Sequence, residues 1–361
     1  MHIAIRKNFY NRFGLFKIAL GLCDSSDFTN RENYDRMQGY DKYCVRTHAV
    51  RIERRLILID YIIILLAVVC FAAQFAFTKL YEGQVGQSGS TTLVMLSGAS
   101  FVGAFIFFLA EGGRIQFSSV SLIWGVVFAL IMLPYYMIGI KILSLGSLAI
   151  YSMFMMLGGM LVPFFYGVLF LQEKISIGKG LGTILLVVFI VLQAVWQNEG
   201  EKEKKTGDSK TRSLFITLCL IIFFINGMTG VIAKAHSISE GAVSEGSFTV
   251  IYCALTSLLS LLILLISCLK NRRETMPEIK KALKLRPLSI MILLGAVAYG
   301  GNYLQLLAAD NVPASVQFPL VSGGVIVLSA LVSAFFFKDK ISKKEWISVA
   351  GAFAATFLFA F

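Results

Sequence analysis

Ten stretches of nearly continuous apolar sequence divide the chain, at about residues 56–80, 91–110, 119–140, 147–171, 179–196, 213–235, 247–269, 288–308, 315–337 and 345–361. Each is close to the ~20 residues that a helix needs to cross a bilayer. Their hydrophobicity is unbroken, whereas the strands of a membrane barrel alternate apolar and polar positions. The pattern predicts an all-α integral membrane protein with ten transmembrane helices. Short connections at 172–178 and 309–314 can only join antiparallel neighbours. Residues 197–212 contain no apolar side chain and read as a charged, solvated linker. Residues 269–287 are basic, carry Pro277 and Pro287, and predict a short surface helix around Glu278–Leu285. Residues 1–55 form a polar basic tail with no block long enough to span and no signal-peptide centre. That tail reads as disordered, or as lying upstream of the true start.

Composition agrees with the pattern. Of the 361 residues, 57% are hydrophobic and 15% charged, and mean hydropathy is +0.76, where a soluble domain carries about 25% charged residues. The net charge of +12 invites a nucleic-acid reading. However, 27 of the 33 Lys and Arg fall in 1–55, 197–212, 269–287 and 338–345, beside apolar blocks. Phospholipid headgroups attract bases placed there, and no nucleic-acid module is present. Six cysteines show no C-x-x-C spacing, so neither a metal site nor a disulfide framework is implied.

The two halves of the chain echo each other. Glu173-Lys174-Ile175-Ser176 follows the fourth block, and Asp339-Lys340-Ile341-Ser342 follows the ninth, 166 residues later. At the same offset Gly158 meets Gly324. Lys79 closes the first block, and Lys234 closes the sixth. A repeat with an odd number of spans enters the membrane in opposite orientations, the arrangement of inverted-repeat transporters. The halves are then 56–196 and 213–361, joined by the 197–212 linker.

These residues resemble the drug/metabolite transporter superfamily, EamA type, over roughly 56–361. The stretch Gly295-Ala296-Val297-Ala298-Tyr299 through Asn302-Tyr303, Ala308-Ala309 and Pro313-Ala314-Ser315 is similar to that family's eighth span and following turn. The resemblance implies a ten-helix carrier with a central substrate cavity and both termini in the cytosol. It does not name a substrate. The distribution of bases argues the other way on orientation. With a cytosolic N-terminus, 18 bases fall outside and nine inside, against the positive-inside rule. The Arg51/Arg54/Arg55 cluster beside the first span agrees with cytosolic termini, which we take as the expectation.

No enzyme constellation or cofactor motif is found. The three histidines are His2, His48 and His236, and there is no H-E-x-x-H, G-x-S-x-G or P-loop. What remains is polarity inside apolar helices, which tends to face a cavity or another helix. Gln74, Asn226, Asn302 and Gln317 supply amides, and Tyr135, Tyr136 and Tyr299 supply hydroxyls on rings. These seven are the substrate-binding candidates, with interhelical hydrogen bonding as the alternative for each amide. Lys79 and Lys234 are candidates for a charged gate or an anion contact, against snorkelling to headgroups. Gly158, Gly159, Gly323 and Gly324, with Pro163 and Pro319, are packing or hinge candidates. Glu173 and Asp339 are expected to cap loops or pair with their neighbours Lys174 and Lys340. Asp60 is a proton-site candidate if it lies deep in the first span.

The function expected is a carrier exporting a small metabolite or drug-like solute across the cytoplasmic membrane by alternating access. The competing class is a non-transporting receptor or structural subunit that binds a partner through its basic loops. The partners expected are the bilayer, a small-molecule substrate and, as an option, a second copy of the chain. No metal and no nucleic acid are expected.

Overall fold

A computed structural model describes residues 40–86, 88–170, 172, 176–199, 209–309, 312, 314–339 and 341–358. Among these there are eleven α-helices and no strand: α1 Tyr40–Val85, α2 Gly89–Ala110, α3 Ser119–Leu145, α4 Leu148–Phe170, α5 Ile177–Glu199, α6 Ser209–Ser237, α7 Glu245–Lys270, α8 Arg272–Ala282, α9 Leu285–Ala309, α10 Ala314–Phe335 and α11 Lys343–Phe357. Seven are long and apolar enough to cross a membrane, within α1–α4, α6, α7 and α9. In α5 and α10 the apolar segments are shorter, Ile177–Phe189 and Leu320–Phe335. The chain is a multi-pass helical membrane protein. It divides into two units, Met1–Tyr61 and Ile62–Phe361. In the first unit the described residues are wholly helical, because α1 begins at Tyr40, upstream of the apolar block. The tail expected to be unstructured is therefore helical from Tyr40. Most of it, residues 1–39, lies outside the described residues, as do 200–208 of the linker.

Serines start several helices. Ser88, Ser118 and Ser244 accept hydrogen bonds from backbone N–H groups in the first turns of α2, α3 and α7. Ser342 and Glu345 form a reciprocal capping box at the start of α11. Such caps satisfy donors that the first helical turn leaves free. The expected surface helix is present as α8, shifted toward the N-terminus, and α9 starts at Leu285.

Within the second unit the helices pack through small and hydroxyl side chains and turn large apolar ones outward. Phe101 on α2 is 66% exposed and Leu65 on α1 is 65% exposed, as expected for a surface wrapped by lipid rather than water. Between α2 and α7, Ser97 Oγ lies 3.2 Å from Ser257 Oγ. Between α4 and α10, Ser152 pairs with Ser329 at 2.5 Å and Ser147 with Ser333 at 3.3 Å. Helices α4 and α6 cross backbone to backbone. A Cβ at Gly158 would collide with the Phe223 carbonyl, and one at Gly227 would meet Val162. The Gly158–Gly159 pair thus serves close backbone approach, the small-residue route to helix association in membranes.

Candidate functional site

A cavity of about 270 Å³ lies within the second unit, bounded by seven helices. From α1 it takes Phe71, Gln74 and Phe75, and from α3 Phe128, Met132, Tyr135 and Tyr136. Helix α4 supplies Met156 and Gly159, α6 supplies Asn226 and Thr229, and α7 supplies Tyr252. Helix α9 contributes Ala298, Tyr299, Asn302 and Gln305, and α10 contributes Val321 and Ser322. No Asp, Glu, Lys, Arg or His is among them. The wall is a mixture of amides, hydroxyls and aromatic rings.

Geometry decides which of these groups remain available to a ligand. Asn226 Nδ2 donates to the Met155 carbonyl at 2.7 Å, which ties α6 to α4 and leaves Oδ1 as an acceptor. Asn302 Nδ2 donates to Ala298 of its own helix at 2.8 Å, and its side chain is exposed. Gln74 and Tyr135 face each other within hydrogen-bonding reach. Tyr299 packs into the space left by Gly103, where a Cβ would stand 2.5 Å from the ring. Its hydroxyl lies 3.4 Å from Ser100 Oγ. The rings are held in turn: Phe128 stacks on Tyr252 at 4.1 Å, and Tyr135 meets Tyr136 edge-on at 5.1 Å. Aromatic walls with fixed rings and a few oriented amides suit a partly apolar small molecule.

Six of the seven substrate-binding candidates line this cavity: Gln74, Tyr135, Tyr136, Asn226, Tyr299 and Asn302. The seventh does not. Gln317 is buried and donates from Nε2 to the Gln305 carbonyl, so its amide holds the start of α10 against α9. Thr229 and Gln305, which sequence reading passed over, lie three positions after Asn226 and Asn302. Extending each polar stripe by one helical turn finds them. Tyr252 shares a face of α7 with Thr249 and Thr256, so the same extension finds it, whereas Ser322 has no polar neighbour one turn away on α10.

Neither lysine candidate belongs to the lining. Lys79 Nζ donates to Asp339 at 2.6 and 2.9 Å and sits 4.6 Å over the Phe337 ring. Ser333 Oγ donates to the same carboxylate at 2.5 Å. Asp339 therefore pairs across the fold with α1. One turn before Lys79 on α1, the lining residue Phe75 meets Tyr151 edge-on at 5.5 Å, so the ion pair lies beyond the Phe75 end of the cavity. Lys234 is exposed in the last turn of α6. Glu173, Lys174 and Lys340 lie outside the described residues.

Among the hinge candidates, Gly159 lines the cavity beside Asn226 Nδ2. Gly323 faces Thr356 and Phe353 of α11, and a Cβ on Gly324 would stand 3.0 Å from the Val68 side chain of α1. Pro163 packs where a Cβ on Gly230 would meet it. The side chain of Pro319 lies outside the described residues.

No protein-family model and no curated protein matches this sequence. Among solved structures, a chain described as "Crystal structure of protein" aligns over 83% of this chain and 98% of its own, at 15% identity and a TM-score of 0.46.

Proposed function

We propose that this protein is a carrier of the cell membrane, non-enzymatic and resembling EamA-type drug/metabolite transporters. In this reading two inverted five-helix halves move a small metabolite outward by alternating access. The observation that carries it is the cavity: enclosed by helices from both halves, free of charge, and lined at corresponding positions. Lys79 and Lys234 are 155 residues apart, and that offset also relates Gln74 to Thr229 and Phe71 to Asn226. The 166-residue offset relates Met156 to Ser322. All six of these cavity positions face the same space. The pairing extends to packing. Gly158 meets Phe223, and the two offsets convert that contact into Gly324 with Val68, which also touch. Correspondence of contacts at a fixed offset is what an inverted repeat would produce, and these matches support that reading.

The lining bears on the substrate. Without a carboxylate or a base it offers no partner for a phosphate or a multivalent cation, whose desolvation would be uncompensated. An uncharged or zwitterionic molecule with a ring and a few polar groups fits. The volume lies just below the ~300–1,000 Å³ of sites for drug-sized ligands, which favours a metabolite over a large conjugate. Alternating access would require the Lys79–Asp339 end to part while the opposite end closes.

Purified protein in liposomes, offered a mixture of neutral ring-bearing metabolites and phosphorylated ones, tests the reading. Time-dependent movement of a neutral compound, abolished in a Gln74→Leu, Asn226→Leu variant that inserts normally, is the expected result. Movement of nothing, or of phosphorylated compounds alone, overturns it and favours the receptor or structural-subunit reading.

A further inference from the structure

Helix α8 and its flanks form an exposed basic strip whose acids are already occupied. Between Lys270 and Arg286 there are seven bases, all exposed. Two acids lie among them. Glu274 accepts from Asn271 Nδ2 at 2.6 Å, and Glu278 takes the hydroxyl of Ser88. Lys281 donates to the Val85 carbonyl at 2.8 Å, which seats the strip on the end of α1. The inner face of α8 is fixed by buried Thr275 and Ala282. Interleaved with the bases are Leu269, Leu283 and Leu285, which are 78%, 51% and 80% exposed.

We infer that this strip is a docking surface for anionic phospholipid headgroups, with the three leucines seated at the acyl boundary. An acidic protein partner would satisfy the bases and leave the leucines without an apolar counterpart. A lipid surface satisfies both, since long basic side chains reach phosphates while neighbouring leucines enter the hydrocarbon. Each base near an anionic leaflet strengthens association about fivefold. Anionic lipid and basic loops both favour the cytoplasmic face, so the α8 end is the cytoplasmic one. The Lys79–Asp339 pair lies at that end, because Lys281 anchors α8 to the last turn of α1. The span Ile59–Val85 leads back from there to the opposite face, so the chain enters its first span from outside. This reverses the orientation implied by the family resemblance and agrees with the count of bases. It does not depend on what the cavity carries.

The test uses the full-length protein in nanodiscs of phosphatidylcholine mixed with phosphatidylserine, with native mass spectrometry of the lipids it retains. Wild-type protein should retain phosphatidylserine preferentially, and the preference should weaken as salt rises. Replacing Arg272, Arg273, Lys280 and Lys284 by Gln should lower it by on the order of 100-fold or more, from about fivefold per base. A variant with Arg114→Gln and Lys234→Gln should retain it. An unchanged preference in the fourfold variant, or one abolished equally by inorganic phosphate at matched ionic strength, overturns the proposal. So does stable capture of an acidic protein that excludes lipid. If the fourfold variant fails to insert, a salt-insensitive wild-type preference overturns it as well. For the face, Lys280→Cys in a background without other cysteines should resist an impermeant thiol reagent in intact cells and react after the membrane is opened. Labelling in intact cells would refute the cytoplasmic assignment.

Discussion

Replacing Asp339 by Asn removes the charge that holds Lys79 beyond the Phe75 end of the cavity while keeping the side chain's shape. Lys79 and Asp339 side chains are 16% and 21% exposed, so the pair is shielded but not dry. At an effective dielectric of ~20, two unit charges ~4 Å apart attract by about 4 kcal/mol before desolvation is subtracted. Fully exposed pairs are worth about 0–1 kcal/mol, and breaking a buried pair costs about 3–5 kcal/mol. The partial burial, the Ser333 hydrogen bond and the Phe337 ring place this pair between those limits, near 2 kcal/mol. If the pair exists only when this end is closed, its loss shifts the closed-to-open equilibrium about 30-fold toward open. A single cysteine at Phe75, one turn inside Lys79, reports that opening. Its reaction with an impermeant thiol reagent added on the α8 side should accelerate about 30-fold in Asp339→Asn and similarly in Lys79→Met. The exchanged pair, Lys79→Asp with Asp339→Lys, should restore the slow rate. Unchanged labelling in both single variants, with the proteins folded and inserted, would refute the idea that this ion pair closes the cavity.

Other outcomes follow from the same geometry. Asn302→Leu should lower transport about tenfold while shifting thermal stability little, because the Asn302 amide donates to Ala298 of its own helix; intact transport when Tyr299→Phe is added would remove α9 from the site. Gly158→Ala should destabilise the protein by about 1–3 kcal/mol through overpacking against the Phe223 carbonyl. Gly300→Ala, where nothing lies within 4 Å, should be neutral or mildly stabilising, as thermal melting in detergent would report. Uptake into proteoliposomes should not respond to an imposed pH gradient, since no titratable carboxylate lines the cavity. A gradient response that disappears in Asp60→Asn would contradict this.

Much of the architecture was legible in the sequence, for a physical reason. Bilayer thickness fixes helix length, so the apolar blocks mark the helices, and the polar groups they contain are costly unless they face one another. That cost made Gln74, Asn226 and Asn302 conspicuous. Gln317 looked the same and behaves differently, because a polar group in hydrocarbon can be satisfied by a neighbouring backbone carbonyl as well as by a cavity. Sequence reading could not separate the two, since the distinction lies in the path of α9 back against α10. The partner of Asp339 was hidden for a similar reason. Lys340 is adjacent in the chain, whereas Lys79 is 260 residues away and is brought near only by the packing of the second unit.

Gly158 and Gly324, 166 residues apart, meet different kinds of neighbour. On α4, Gly158 lies against the backbone of α6 near Phe223, so tightly that no side chain fits between them. On α10, a Cβ on Gly324 would first meet the Val68 side chain of α1, at 3.0 Å. A Cβ on Gly301 of α9 would likewise come nearest to side-chain atoms of α1, from Cys70 and Phe71 at 3.1–3.4 Å. At these positions α4 approaches the backbone of α6, whereas α9 and α10 meet α1 through side chains. On the proposed inverted-repeat reading, a perfectly symmetric pair of halves would expose a central cavity equally to both sides, so such a carrier would have to break its pseudo-symmetry in any single state. The unlike surroundings of Gly158 and Gly324 would be such a break. On that reading α1, which carries Gln74 into the cavity and Lys79 to the ion pair, would be the helix whose movement couples the two.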